Sequence, residues 1–261
     1  MQRIPWCQPR LTGLEHEYVA DALRSTWISG GPYVDRLETE VSDLLGAAHA
    51  FACSSGTAAL ELTYLALGLP RGSEIILPAF GYLAAANAAI RYGLVPKFAD
   101  VEDGSWCISP ESVQRLMSPS VSAIVAIDTY GSVCSMPRLR EISAEQEVWL
   151  IEDAAEAFGS SLKDGSAGTL GDIGTLSFQA TKTITSGEGG MVLTDNSQIL
   201  DAIRLYRSHG TKEKKYFHVL PGANFRLSNV QAAIACAQLK DFDAIRAERE
   251  RVSARYKRRL G

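Results

Sequence analysis

From Ala48 onward, short apolar, β-rich runs alternate with stretches that read as helices. The runs His49–Cys53, Glu74–Leu77, Pro96–Ala99, Ala123–Ile127, Val148–Ile151, Thr175–Phe178 and Met191–Leu193 predict strands. Strands separated in this way by helices predict an α/β domain with a mainly parallel, covered sheet. Near the end of the chain, Ser228-Asn-Val-Gln231 has the form of a capping box, with a hydroxyl at the cap and an amide three residues later. It introduces a long helical pattern whose apolar side is marked by Val230, Ile234, Leu239, Phe242, Ile245, Val252 and Tyr256.

Composition narrows the picture. With 261 residues, 46% of them hydrophobic, the chain is long enough to bury a substantial core. A net charge of −4 argues against a general nucleic-acid binder, and the basic clusters at 212–215 and 255–259 read as solvated faces. The five cysteines form no C-x-x-C pair and the four histidines do not cluster with them, so no metal site is expected. No apolar run approaches the length of a membrane span, and cytoplasmic residence with reduced thiols is the default.

Two segments carry chemistry. Lys182 lies in Thr175-Leu-Ser-Phe-Gln-Ala-Thr-Lys-Thr-Ile-Thr-Ser-Gly-Glu-Gly-Gly-Met191, and Asp153 in Ile151-Glu-Asp-Ala-Ala-Glu-Ala-Phe-Gly159. A lysine alone is most often a surface charge, and an aspartate alone a strand-end cap or metal ligand. Together they provide an imine-forming amine and an acid ending an apolar strand. Pyridoxal 5'-phosphate (PLP) needs both, because its ring stores carbanion electrons only while the ring nitrogen stays protonated. Ser54-Ser-Gly-Thr57 follows a predicted strand and opens a helical run, so it offers backbone N–H groups to a phosphate; the plain alternative is an ordinary strand-to-helix turn. Gly187-Glu-Gly-Gly190 is not a dinucleotide fingerprint, since Val192 stands where a third glycine is required.

These segments, with Ser25-Thr-Trp-Ile-Ser-Gly-Gly-Pro-Tyr33, Pro78-Ala-Phe-Gly-Tyr-Leu-Ala-Ala-Ala-Asn87 and Gly222-Ala-Asn-Phe-Arg-Leu-Ser-Asn-Val-Gln-Ala-Ala233, resemble the DegT/DnrJ/EryC1/StrS family of nucleotide-sugar aminotransferases, in the family's order. The resemblance implies the aspartate aminotransferase type fold (PLP fold type I). Residues 1–235 would form the PLP-binding large domain with its N-terminal segment. Residues 236–261 would form the linking helix and the start of a truncated C-terminal domain, the smaller domain of relatives being largely absent.

The resemblance also implies roles. Lys182 and Asp153 are the catalytic pair. Gly56 and Thr57, with Ala58 through its backbone, cradle the phosphate, and Ser177 reaches it, with Gln179 nearby. Tyr82 stacks on the ring, unless it is a core tyrosine. Glu156 lies near the ring oxygen. Arg226 reaches the phosphate of the partner subunit in a homodimer with shared sites; otherwise Arg226 and Asn224 only fix a loop. Trp27, Ser29 and Gly30 face the sugar nucleotide, although Trp27 is equally readable as a packing anchor.

The implied reaction moves an amino group from glutamate to C4 of a nucleotide-linked keto sugar, for surface polysaccharide or glycan biosynthesis. Glu156, where many relatives have glutamine, points to a subset of the family acting on GDP-4-keto-6-deoxy-mannose; a UDP- or dTDP-linked sugar is the alternative within the same chemistry. Asp128 stands where similar enzymes often have histidine. A PLP-binding or partner-binding protein without turnover is the reading from a different class.

Overall fold

The computed structural model describes Pro5, residues 7–212 and residues 216–261, so 213–215 of the first basic cluster lie outside the described residues. Helices α1 (Leu14–Arg24) and α2 (Pro32–Leu45) precede β1 (His49–Cys53) and α3 (Gly56–Ala66). Then follow β2 (Glu74–Pro78), α4 (Ala84–Arg91), β3 (Val95–Ala99), α5 (Pro110–Leu116), β4 (Val121–Ile127), α6 (Met136–Glu145) and β5 (Trp149–Asp153). A two-residue hairpin, β6 (Ser161–Leu162) and β7 (Gly165–Ser166), leads to β8 (Ile173–Ser177), β9 (Gly190–Thr194), α7 (Ser197–Arg207), α8 (Asn229–Lys240) and α9 (Phe242–Leu260). All seven expected strands form, and they make one sheet in the order β1-β9-β8-β5-β4-β2-β3.

The sheet is mainly parallel, as expected. Strands β8, β5, β4, β2 and β3 run the same way, and β9 alone runs antiparallel to its two neighbours, β8 and β1. Side chains alternate between two buried faces. Ile75, Leu77, Ala123, Val125 and Ile127 pack beneath α3, α4 and α7, whereas Ile76, Ile124 and Ala126 pack beneath α5 and α6. Leu176, Met191 and Leu193 lie beneath α2, α8 and the start of α9. Covering both faces is what a sheet of parallel strands requires.

The capping box at Ser228 is present, with Ser228 Oγ accepting from Gln231 N–H and the Gln231 side chain accepting from Ser228 N–H. The helix beyond it departs from the expectation of one long element. Two helices meet at Asp241, and burial stops at Ile245; Val252 and Tyr256, expected on the apolar side, are exposed. Small residues, Ala232, Ala233, Ala235, Cys236 and Ala237, provide most of the buried face of α8, which packs against α1 and α2. No described helix is long and apolar enough to cross a membrane.

Within the sheet the chain also packs tightly. A Cβ added to Gly174 in β8 would lie 1.9 Å from the carbonyl oxygen of Gly168, backbone that has no rotamer with which to yield. The substitution Gly174→Ala is expected to lower the unfolding free energy by at least about 2 kcal/mol, read from urea denaturation; an unchanged midpoint would show that the 168–174 segment shifts freely.

Candidate active site

Strand register brings the chemistry together. Strands β1, β2, β4, β5 and β8 end along one edge at Cys53, Pro78, Ile127, Asp153 and Ser177, and β9 begins there at Gly190. Ile127 pairs with Asp153, Asp153 with Thr175, and two residues further on Ser177 pairs with Gly190, which pairs with Cys53. These strand ends and the turns that leave them carry the candidate site residues between positions 54 and 188. Open α/β sheets place ligands at this edge.

Glycine allows the start of α3 to approach β8. A Cβ on Gly56 would meet Ser177 Cβ at 2.8 Å and Oγ at 3.1 Å, so Ser177 and the first helical turn are in direct contact. A Cβ on Gly190 would lie 2.3 Å from the Ser55 carbonyl oxygen. Gly56 and Thr57 occupy the first turn, where N–H groups have no intrahelical acceptor. Ala58 differs from the expectation. Its N–H donates to Ser55 Oγ at 3.0 Å, because Ser55 caps the helix, so that donor is already engaged.

Asp153 is almost fully buried, with Oδ1 accepting from Ala155 N–H at 3.2 Å and Thr175 Oγ1 at 3.3 Å. Burial pushes its carboxyl up to about 6, against the Ala155 bond and the positive charge of Lys182, which pull it down. The Lys182 loop is fixed through its backbone: Lys182 N–H donates to Gln179 O at 2.9 Å and Arg249 Nη2 donates to Lys182 O at 3.0 Å. Its Nζ lies 3.6 Å from Glu156 Oε1. Gln179 spends its side-chain oxygen on Thr181 N–H and Oγ1, at 2.8 and 2.7 Å, and so shapes this loop.

The other oxygen of Glu156 accepts from Tyr130 N–H at 2.9 Å. Tyr130 has φ 54°, a left-handed conformation that is costly for a residue with a Cβ and that here aims the N–H at the carboxylate. No sequence signal marked this donor. The Tyr130 ring joins Phe80 and Trp106 in an exposed cluster, with centroids 6.2 and 5.1 Å from that of Phe80. Tyr82 is 77% exposed, which removes the core-tyrosine alternative, and with Thr57 it lines a cavity of about 810 Å³. Lys182 lines a separate groove of about 900 Å³ formed with Cys7, Arg10 and α9. Arg226 is exposed beside Cys53, and Asn224 Oδ1 accepts from its N–H at 3.3 Å.

Behind this edge lies a second acid pair. Asp128 N–H donates to Asp153 O at 3.0 Å, and Asp128 Oδ1 accepts from Cys134 N–H at 2.9 Å. Asp128 Oδ2 and Glu152 Oε1 are both buried and have no hydrogen-bond partner, while Glu152 Oε2 accepts from Leu170 N–H at 2.7 Å and Gly171 N–H at 3.2 Å. Burial, with the neighbouring Glu152, pushes Asp128 up to about 9, and Glu152 is also raised, chiefly by burial. Burial and mutual repulsion therefore favour a protonated carboxyl in this pair. Among the described residues no group of three or more histidine, cysteine or acidic side chains is arranged to hold a metal ion.

An amine held against a carboxylate, one strand away from a buried acid, is a donor set that PLP can use. With the mixed seven-stranded sheet, this site defines an enzyme of the PLP type with the aspartate aminotransferase fold. Comparison with known proteins agrees: the chain belongs to the DegT/DnrJ/EryC1/StrS aminotransferase family, whose model matches residues 9–261, and this is a family of PLP-dependent sugar aminotransferases.

It is 40% identical over 259 residues to the GDP-perosamine synthase of Vibrio cholerae, covering 98% of this chain and 71% of that protein. Among solved structures, Helicobacter pylori PseC, an aminotransferase involved in the biosynthesis of pseudoaminic acid, superposes with a TM-score of 0.93 at 27% identity, over 98% of this chain and 70% of that one. DesI in the presence of its TDP-sugar product gives 0.84 at 33% identity, over 91% and 60%.

The acid pair yields a test. The folded chain keeps a proton that an unfolded Asp128 releases above about pH 4, so its contribution to stability is full below pH 4 and is lost as pH rises towards 9. The variant Asp128→Asn keeps the oxygen for Cys134 N–H and gives Glu152 a permanent donor. Its stability relative to wild type should rise between pH 5 and pH 8 in urea titrations, and a constant difference would show that no proton is kept there.

Proposed function

We propose that this protein transfers an amino group from glutamate to C4 of a nucleotide-linked 4-keto-6-deoxy sugar, with GDP-4-keto-6-deoxy-mannose as acceptor. The observation that carries the reading is Lys182 Nζ held 3.6 Å from Glu156 Oε1 on the sheet edge that also buries Asp153. The GDP assignment is supported by Glu156 itself and by 40% identity to a GDP-perosamine synthase. The likeness to DesI, a structure named for its TDP-sugar product, supports the rival acceptor class.

PLP, when bound, supplies an electron sink that lets an amino acid lose its α-proton. The chain's own residues do the rest. Lys182 would hold the cofactor through its amine and, once free, would serve as the base for the donor's α-proton. Asp153 keeps the ring nitrogen protonated, and its burial strengthens that pairing. Glu156, fixed by Tyr130 N–H, holds the Lys182 amine in place. Gly56 and Thr57 offer N–H groups, and Ser177 a hydroxyl, to the phosphate at the positive end of α3. Ala58 N–H joins them only if Ser55 Oγ yields it. Tyr82 covers the ring face, and Arg226, exposed beside β1, reaches the site of a second subunit, which makes the working unit a homodimer. Residues 1–235 form the large domain and 236–261 the link towards a smaller one, and the protein works in the cytoplasm.

Borohydride reduction of the PLP-loaded protein should label the peptide that contains Lys182, and Lys182→Ala should abolish both the label and 2-oxoglutarate formation from glutamate; label elsewhere would refute the assignment. Asp153 must ionise to face a cationic ring. PLP affinity should therefore fall as pH drops through about 6, by up to about tenfold per unit, and Asp153→Asn should bind weakly with a flatter profile. Product analysis with GDP-, UDP- and dTDP-linked keto sugars decides the acceptor, and turnover of dTDP sugars alone would overturn the GDP choice.

A further inference from the structure

The link between α1 and α2, residues 25–31, exposes two large apolar side chains, Trp27 at 63% and Ile28 at 53%. Its backbone is nevertheless held firmly, and the holding group lies about 200 positions away in sequence. Asn229, the first residue of α8, is almost fully buried. Its Nδ2 donates to Trp27 O at 2.7 Å, and its Oδ1 accepts from Tyr33 N–H at 2.9 Å. Its own N–H donates to Ser29 O at 2.5 Å and to Ile28 O at 3.2 Å. Trp27 O only accepts and Tyr33 N–H only donates, so the carboxamide has one orientation.

The bond to Tyr33 has a particular use. Helix α2 begins after Gly31, which has no side chain with which to cap it. Asn229 provides the cap from across the chain, and it occupies the space a side chain at 31 would need: a Cβ on Gly31 would meet the Asn229 carboxamide at 3.0 Å. The same turn of α8 reaches two further loops. Gln231 Nε2 donates to Glu188 O at 2.9 Å, just beyond the Lys182 loop, and the preceding segment places Arg226 beside Cys53 while Phe225 O accepts from Ser54 N–H at 2.8 Å. One helix start thus fixes residues 27–31 relative to the phosphate turn and the lysine loop. Exposed apolar side chains on an immobilised backbone suit recognition better than packing.

We propose that Asn229 is a positioning residue for the acceptor half of the reaction. Its carboxamide holds the 27–31 loop in the shape that receives the nucleotide-linked keto sugar, and it has no part in the glutamate half. This rests on the proposed transfer to such a sugar. Asn229→Asp separates local positioning from loss of fold. It keeps the acceptor for Tyr33 N–H, places a carboxylate at a helix start, where it is favoured, and sets an oxygen against the Trp27 carbonyl in place of the donor.

The test uses the full chain loaded with PLP, with the two half-reactions followed separately by cofactor absorbance. For Asn229→Asp the rate with glutamate should stay within about twofold of wild type, while KM for the keto sugar rises roughly tenfold, the scale of one lost hydrogen bond. Amide hydrogen exchange over residues 26–31 should speed up while that of the central strands does not. Equal losses in both halves, or an unchanged KM with unchanged exchange, would overturn the role of Asn229. If wild type reacts with glutamate but with no nucleotide-linked keto sugar, the proposed function fails, and this assignment fails with it. Activity of wild type with such a sugar confines any failure to Asn229 alone.

Discussion

Everything at this site depends on keeping a carboxyl group dry at the end of β5. Asp153 has Thr175 on one side, Ala155 N–H ahead of it and the Asp128 backbone against its carbonyl, and burial carries it up to about 6 against the hydrogen bonds and the Lys182 charge that oppose the rise. Desolvation of that size disfavours the empty site with the acid charged. It also strengthens any cation placed opposite, since the same low dielectric that penalises a lone charge rewards a pair. The neighbours of Asp153 tune this balance. Lys182 pulls it towards ionisation, and Glu156 pushes the other way.

The acids behind that edge follow the same logic with the opposite outcome. Asp128 and Glu152 are too deeply buried for both to carry charge, so they keep a proton, and the backbone of Asp128 continues into the turn that presents Tyr130. A proton kept there does structural work that a histidine at this position would do with a different set of donors. The left-handed backbone at Tyr130 is held between Asp128 and Glu156, and its strain is offset by the charge-assisted bond it makes.

Much of this was legible in the chain alone. The seven strands follow from their apolar runs, and the capping box from Ser228 and Gln231. What could not be read was geometry created by tertiary contact. Ala58 looked like a free donor because nothing in Ser-Ser-Gly-Thr says which serine caps the helix. Val252 and Tyr256 continued a periodic pattern, yet periodicity reports a face and not whether anything covers it. The Asn229 cap joins positions 196 residues apart, and neither local propensity nor spacing encodes a bond of that separation.

The borders of the sheet have a consequence for how this molecule meets others. At β1, Glu38 accepts from Ala52 N–H at 2.9 Å and Arg207 donates to Ala52 O at 3.0 Å, so one ion pair occupies both backbone groups of Ala52. At the opposite border, β3 carries Pro96, which has no N–H to offer, and beside it the charged Lys97. Both rims thus offer an added strand fewer backbone partners, which disfavours prolonging the ladder with a second chain and opposes edge-to-edge aggregation.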